Sequence, residues 1–146
     1  MNRLFALLIA VFAGTLVFAQ QPDVPKAVKN AYAAKYAATA TYAKKGDLYA
    51  ADFVDKGTNY TAYFSEDGTW VKTEKKVTLE SLKEVVQNEI KNRFMGENSR
   101  YKMDTALIIE TPTGILDAAR FFMENGGTIT IYFQADGTMF KREIVQ

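Results

Sequence analysis

The sequence predicts an α+β fold: two tandem helix-plus-four-strand repeats forming one antiparallel sheet, with both helices packed on one face. Three observations lead there. Residues 62–74, AYFSEDGTWVKTE, recur sixty-nine positions later at 131–143 as IYFQADGTMFKRE. An apolar stripe with a spacing of four precedes each copy: Val24, Val28, Tyr32 and Tyr36, then Leu82, Val86, Ile90 and Phe94. Such spacing keeps the residues on one side of a helix. Between stripe and hairpin, glycine-bearing breaks divide short segments rich in aromatic and β-branched residues, as in an antiparallel meander.

The first nineteen residues stand apart. Arg3 is followed by an uncharged apolar run over 4–18 and by Val17-Phe18-Ala19, which offers a cleavage site before Gln20. This three-part pattern predicts a secretory signal peptide over 1–19. The run is shorter than the roughly 20 apolar residues of a spanning helix, so a membrane anchor is not expected. The mature domain is 20–146, with repeat one at 22–77 and repeat two at 78–146. A periplasmic or secreted location is expected.

Arg3 is the only charge in the leader, so the mature part carries 17 basic residues (18 − 1) against 17 acidic. That balance argues against nucleic acid, whose phosphates require a basic excess. No basic amphipathic helix suggests a membrane surface. The chain has neither cysteine nor histidine. Disulfides, Ser-His-Asp or Cys-His catalysis and His/Cys zinc sites are therefore excluded. No cofactor is expected.

In order along the chain, Asp23 is placed to cap the first helix, with Pro25 in its first turn. Strands are expected at 39–44, 48–54, 58–64 and 69–75. Ser81 and Glu84 form an S-x-x-E capping box for the second helix, with Thr78 as the rival cap. Further strands are expected at 106–111, 115–123, 128–133 and 138–145. The helices are fifty-eight positions apart and the hairpins sixty-nine, so an insertion occupies 95–105. Alternation places Tyr60, Ala62 and Phe64, and likewise Ile129, Ile131 and Phe133, toward the helices. Tyr63 and Tyr132 then occupy equivalent places on an open face that meets water. The strand after the turn has two readings. A three-residue loop would put Trp70 and Met139 on the core side, and a two-residue loop Val71 and Phe140. The second is favoured, which leaves Trp70 on the open face.

These motifs resemble the PepSY-like, β-lactamase-inhibitor-like family of exported bacterial domains. The resemblance rests on the helix start Val24-Pro25-Lys26-Ala27-Val28 leading to Tyr32 and Tyr36. It rests also on the hairpins Tyr63-Phe64-Ser65-Glu66-Asp67-Gly68 and Tyr132-Phe133-Gln134-Ala135-Asp136-Gly137. Departures are Lys83 and Ala37 where the family often has proline, and Tyr42 where tryptophan is usual. The resemblance implies a fold similar to β-lactamase inhibitor protein, with a concave sheet used for binding, and does not imply the inhibitory activity.

The functional expectation is a non-enzymatic binding domain of the cell envelope, recognising an unknown protein or peptide. Tyr63, Tyr132 and Trp70 are its candidate contacts, because aromatic side chains dominate interface energetics. The alternative for these tyrosines is ordinary cross-strand stabilisation. Tyr101, in the insertion, is a further candidate, against a reading of 95–105 as a longer helix end and strand. The alternative function is inhibition of a periplasmic hydrolase, a peptidase or β-lactamase. Asp67 and Asp136 are explained by turn chemistry, and neither catalysis nor a metal site is expected.

Overall fold

The computed structural model describes residues 23–146, so the signal peptide expected at 1–19 lies outside the described residues. Helix α1 (Lys26–Lys35) leads into β1 (Ala40–Lys45), β2 (Leu48–Asp55), β3 (Thr58–Phe64) and β4 (Trp70–Val77). A 3-10 turn at Leu79–Ser81 precedes α2 (Glu84–Phe94). Strands β5 (Tyr101–Thr111), β6 (Gly114–Met123), β7 (Thr128–Phe133) and β8 (Met139–Val145) complete the chain. All eight strands form one antiparallel sheet in the order β1 to β8, each paired with its neighbours in sequence. Part of the expected insertion is absorbed by β5, which begins at Tyr101 rather than at Ala106.

Each helix buries the two middle residues of its stripe, Val28 and Tyr32 in α1 and Val86 and Ile90 in α2. Val28 and Tyr32 of α1 pack with Ala51, Phe53, Ala62 and Phe64. Val86 and Ile90 of α2 pack with Ala119, Phe121, Ile131 and Phe133. Phe64, Phe121 and Phe133 are fully buried, each contributing about 1.5–3 kcal/mol relative to exposure. The Tyr32 hydroxyl donates to the Ala38 carbonyl at 2.7 Å, which satisfies its polar tip inside this cluster.

The helices begin differently from the sequence expectation. Neither N-cap makes a side-chain capping bond, and the N-cap residues are Pro25 and Lys83. Asp23 therefore does not cap α1, and Ser81 does not cap α2. The 3-10 turn holds Ser81, whose hydroxyl lies 3.2 Å from that of Thr78. Leu82 then continues in extended conformation before α2 starts at Glu84. Lys83 is fifty-eight positions after Pro25 and has nearly its backbone geometry, with φ −61° against −52°. Unlike proline it has an N–H, and this donates to the buried Asp117 carboxylate at 3.2 Å. In the first half the matching position on β2 is Tyr49: Tyr49 pairs with Phe64 as Asp117 pairs with Phe133.

The two repeated hairpins share one turn. The Gly68 N–H donates to Ser65 O and the Ser65 N–H to Thr69 O; Gly137, Gln134 and Thr138 repeat both bonds. Asp67 and Asp136 each accept the N–H two residues on at 2.9 Å. Gly68 and Gly137 adopt φ of +87° and +85°, the left-handed conformation that closes a three-residue hairpin loop. Close approach is a second reason for glycine. A methyl on Gly68 would lie 2.6 Å from the Ala27 carbonyl oxygen of α1, and one on Gly137 would lie 2.8 Å from Val85 Cγ2 of α2.

Candidate functional site: an ionic cluster in a groove

The turn sets the register of the strand after it. Phe64 pairs with Trp70 and Tyr63 with Lys72, so Val71 is an extra residue in a β-bulge. The second hairpin pairs Phe133 with Met139 and Tyr132 with Lys141, leaving Phe140 as the extra residue. Residues directly opposite each other share a side of the sheet. Trp70 therefore lies with Phe64 against the α1 cluster, not on the open face as favoured from sequence. The loop has three residues, so Trp70 and Met139 take the first of the two readings. The bulge then returns Lys72 and Lys141 to the side of Tyr63 and Tyr132.

There the two halves meet. Lys72 Nζ stands 4.8 Å from the Tyr63 ring centre and 5.6 Å from that of Tyr132. It donates to the Tyr132 hydroxyl at 3.1 Å and pairs with Glu74 at 3.0 Å. Glu74 is 4% exposed and takes a second cation, Arg120, at 2.9 Å. The Tyr63 hydroxyl lies 3.4 Å from the same carboxylate. Tyr132 donates to Glu143 at 2.6 Å, and Lys141 pairs with Glu143 at 2.5 Å. Arg120 Nε donates to Thr130 Oγ1 at 3.1 Å.

These contacts set the protonation states. Burial, and after it the Glu74 charge, pushes the Tyr63 phenol up to about 12. Burial and the hydrogen bond to Glu143 raise the Tyr132 phenol as well. Burial works against the Arg120 charge, but the charge and hydrogen bond of Glu74 outweigh it and hold the guanidinium above its ordinary value. Burial also opposes ionisation of Glu143, yet bonds from Lys141 and Tyr132 and the charge of Lys72 leave it below the usual carboxylate value. At neutral pH both phenols stay protonated, so they are hydrogen-bond donors and not bases.

The cluster lies in a groove of about 900 Å³. Leu48, Val71, Ile109, Leu116, Phe140 and Val145 supply its apolar walls. Two lining residues, Ile109 and Tyr132, belong to a buried cluster on this side of the sheet. Leu107, Ile109 and Ala118 are fully buried, and Tyr132 is 4% exposed. The expectation that this face simply meets water is thus corrected, and Tyr132 is not an exposed aromatic. Bulges at Tyr63/Phe64, Met103/Thr105 and Tyr132/Phe133 interrupt the register. Bulges bend a strand and raise its twist.

The four residues nominated from sequence fall in three places. Tyr63 and Tyr132 come together in the groove. Trp70 lies under α1, with Lys35 Nζ 4.0 Å above its ring and its indole N–H donating to Thr73 at 2.9 Å. Tyr101 opens β5 and packs edge-on to Phe94 at 5.8 Å and against Phe121 at 6.1 Å, at the far end of the α2 cluster. Sequence reasoning missed Lys72, Glu74, Arg120, Lys141 and Glu143. Four of them were visible as the Lys-x-Glu shared by both copies of the repeated stretch, Lys72-Thr73-Glu74 and Lys141-Arg142-Glu143. Arg120 had no such signal.

No protein-family profile and no curated protein matches the chain. Solved structures do. A DUF2874 family protein from Bacteroides ovatus superposes with a TM-score of 0.62 and 20% identity, covering 82% of this chain and 86% of its own. A protein of Bacteroides eggerthii, provisionally named periplasmic, gives 0.64 and 22%, covering 83% and 88%. A BLIP-like protein from Bacteroides fragilis gives 0.59 and 21%, covering 83% and 86%. At these identities the likeness is one of fold: this chain has a BLIP-like antiparallel sheet with two helices.

Proposed function

We propose that this chain is an exported, non-enzymatic binding domain of the cell envelope that receives a protein or peptide in the groove around Tyr63 and Tyr132. The observation that carries the reading is the groove itself. It combines apolar walls with an ionic cluster whose members are already held by one another. Preorganised polar groups among apolar side chains are the usual composition of a recognition site. The periplasmic name of one structural neighbour and the leader expected at 1–19 support export. The PepSY-like affiliation belongs to the same proposal.

The proposal includes a tandem-repeat architecture with both helices on one side of the sheet. It is supported by the chain of cross-strand partners from Ala62 through Thr73 to Glu110, whose side chain meets Lys35 of α1 at 3.4 Å. Two residues before Glu110, Ile108 packs against the α2 cluster. Since alternate residues of a strand share a side, the two helices read as neighbours over one face, which leaves the groove accessible.

The test is site-directed cross-linking. A photoreactive side chain at Phe140, in the groove, is compared with one at Val54 or Val85, exposed and outside it. After incubation with envelope extract of the source organism, one protein should be captured from position 140 alone. Equal capture from all three positions, or none from the groove, sinks the reading. A second reading, inhibition of a periplasmic peptidase or β-lactamase, is favoured by the BLIP-like fold. It requires that the purified chain in excess slow such a hydrolase, and an unchanged rate removes it.

A further inference from the structure

The groove is electrically lopsided in a chain that is nearly neutral overall, at +1. Its lining includes four basic side chains, Lys45, Lys72, Arg120 and Lys141, against two carboxylates, Glu74 and Glu143, and Asp52 and Asp104 lie outside the lining but near enough to act on Tyr63 and Arg120. Both lining carboxylates are engaged: Glu74 lies between Lys72 and Arg120, and Glu143 accepts from Tyr132 and Lys141. Donors remain over. Arg120 uses Nε on Thr130 and Nη2 on Glu74, and a guanidinium has five N–H groups, so its Nη1 edge is unfilled. The side chain is 24% exposed and lines the groove. Lys45 has no acidic partner among the described residues.

Apolar surface flanks these donors. Phe140 and Val145, on β8, are 57% and 66% exposed, although both line the groove. Strand β8 is also the last strand in the sheet order, so its outer backbone groups have no strand partner among the described residues. A groove running out to an unpaired edge suits an extended chain, which can add main-chain hydrogen bonds to its side-chain contacts.

Resting on the binding reading above, we infer that the groove takes an extended acidic peptide segment of a partner protein. One carboxylate of the segment sits on the Nη1 edge of Arg120, and its apolar neighbours lie on Phe140 and Val145. A planar two-donor edge matches a carboxylate, and the surplus of positive charge attracts a segment carrying more than one.

The experiment is selection of a random-peptide phage library on the purified chain, with titration of the selected peptides. Enrichment of Asp and Glu next to large apolar residues is expected, with binding lost in Phe140→Asp and weakened by added salt. Arg120→Gln should weaken the best peptide about tenfold or more. Because Arg120 also neutralises Glu74, that variant is paired with Lys45→Gln/Lys141→Gln, which alters two exposed side chains. The pair should weaken binding several-fold with folding intact. Peptides that need Phe140 but show no acidic enrichment overturn the inference while leaving the binding function standing. Peptides indifferent to Phe140, or a groove filled by oleate in preference to any peptide, overturn it too. Failure to select any groove-dependent peptide counts against both.

Discussion

The start of α2 offers a test in which two destabilising changes should cancel. Lys83 sits at φ −61°, ψ 140°, inside the range that proline fixes. The residue before it, Leu82, is extended at φ −79°, ψ 165°, the conformation a residue before proline prefers. Lys83→Pro is therefore sterically acceptable and lowers the entropy of the unfolded chain, worth about 0.4–1 kcal/mol. It also removes the N–H that Asp117 accepts at 3.2 Å. A hydrogen bond to a charged group is worth about 1.5–3 kcal/mol, and the carboxylate of Asp117, a residue 6% exposed, has no other hydrogen-bond partner among the described residues. The net expectation is a loss of roughly 1–2 kcal/mol. Asp117→Ala loses the same bond and strands the N–H, for about 1–3 kcal/mol.

The double variant Lys83→Pro/Asp117→Ala has neither donor nor acceptor. It reproduces the first half, where Pro25 has no N–H to satisfy and Tyr49 occupies the place of Asp117. Urea unfolding of all four proteins should give a double variant at least about 1 kcal/mol more stable than the sum of the singles predicts. Additivity within about 0.3–0.5 kcal/mol would refute the argument that Asp117 is present to satisfy Lys83.

Gly68→Ala should be more damaging than Gly137→Ala. Both incur the roughly 1–2 kcal/mol left-handed penalty, but the first methyl meets a backbone oxygen and the second the tip of a valine side chain that can turn away; thermal melts showing equal losses would contradict this. Glu74→Gln takes the counter-charge from Arg120 and leaves Lys72 only Glu143, at 3.7 Å; with Arg120 partly exposed, the loss should be about 1.5–3 kcal/mol. The same variant should lower the Tyr63 titration, since the Glu74 charge helps raise it, and tyrosinate absorbance reads this directly. Burial pushes the Tyr32 and Tyr63 phenols up to about 12 from an ordinary 10.0. A raised folded value gives stability that is fully present below pH 10 and lost as pH rises through 12. Unfolding free energy should therefore be flat toward pH 10 and fall steeply above it, whereas a decline complete before pH 10 would show the tyrosines are not the cause.

Much of the fold was legible because it depends on local pattern. The four-residue stripes located both helices, and β3 and β7 have the bounds expected from alternation and glycine breaks, with Ala62, Phe64, Ile131 and Phe133 inward. The failures depended on one residue or on distant pairing. The bulge inserts Val71 between Trp70 and Lys72, and no spacing rule distinguishes an inserted residue from a shorter loop. Tyr132 alternates like an exposed residue but is buried by packing on Leu107, Ile109 and Ala118 and by contacts with Lys72 and Glu143. Ser81 and Glu84 satisfy the capping-box pattern, yet the 3-10 turn places Ser81 before the helix and Lys83 takes its place. Asp117 gains meaning only once β6 is paired with β7 and set beside the start of α2.

The differences between the halves say more about the site than their agreement does. Turn, bulge, helix contact and the Lys-x-Glu pair match between the hairpins, and each is accounted for by packing or hydrogen bonding. At the position on β6 that corresponds to Asp52 on β2 stands Arg120: Asp52 pairs with Thr61 as Arg120 pairs with Thr130. In the first half the carboxylate accepts from its threonine hydroxyl at 2.5 Å; in the second the guanidinium donates to it. The charge is reversed while the local hydrogen bond is kept, so holding the threonine does not explain the arginine. Arginine adds reach to Glu74 in the other half and N–H groups beyond those that Thr130 and Glu74 use. Glu74 alone could have been neutralised by Lys72, which it already meets at 3.0 Å. Lys72, however, is shared with Glu143 at 3.7 Å, so Arg120 gives the buried Glu74 a cation of its own, and its remaining donors are the ones the proposed acidic segment would meet.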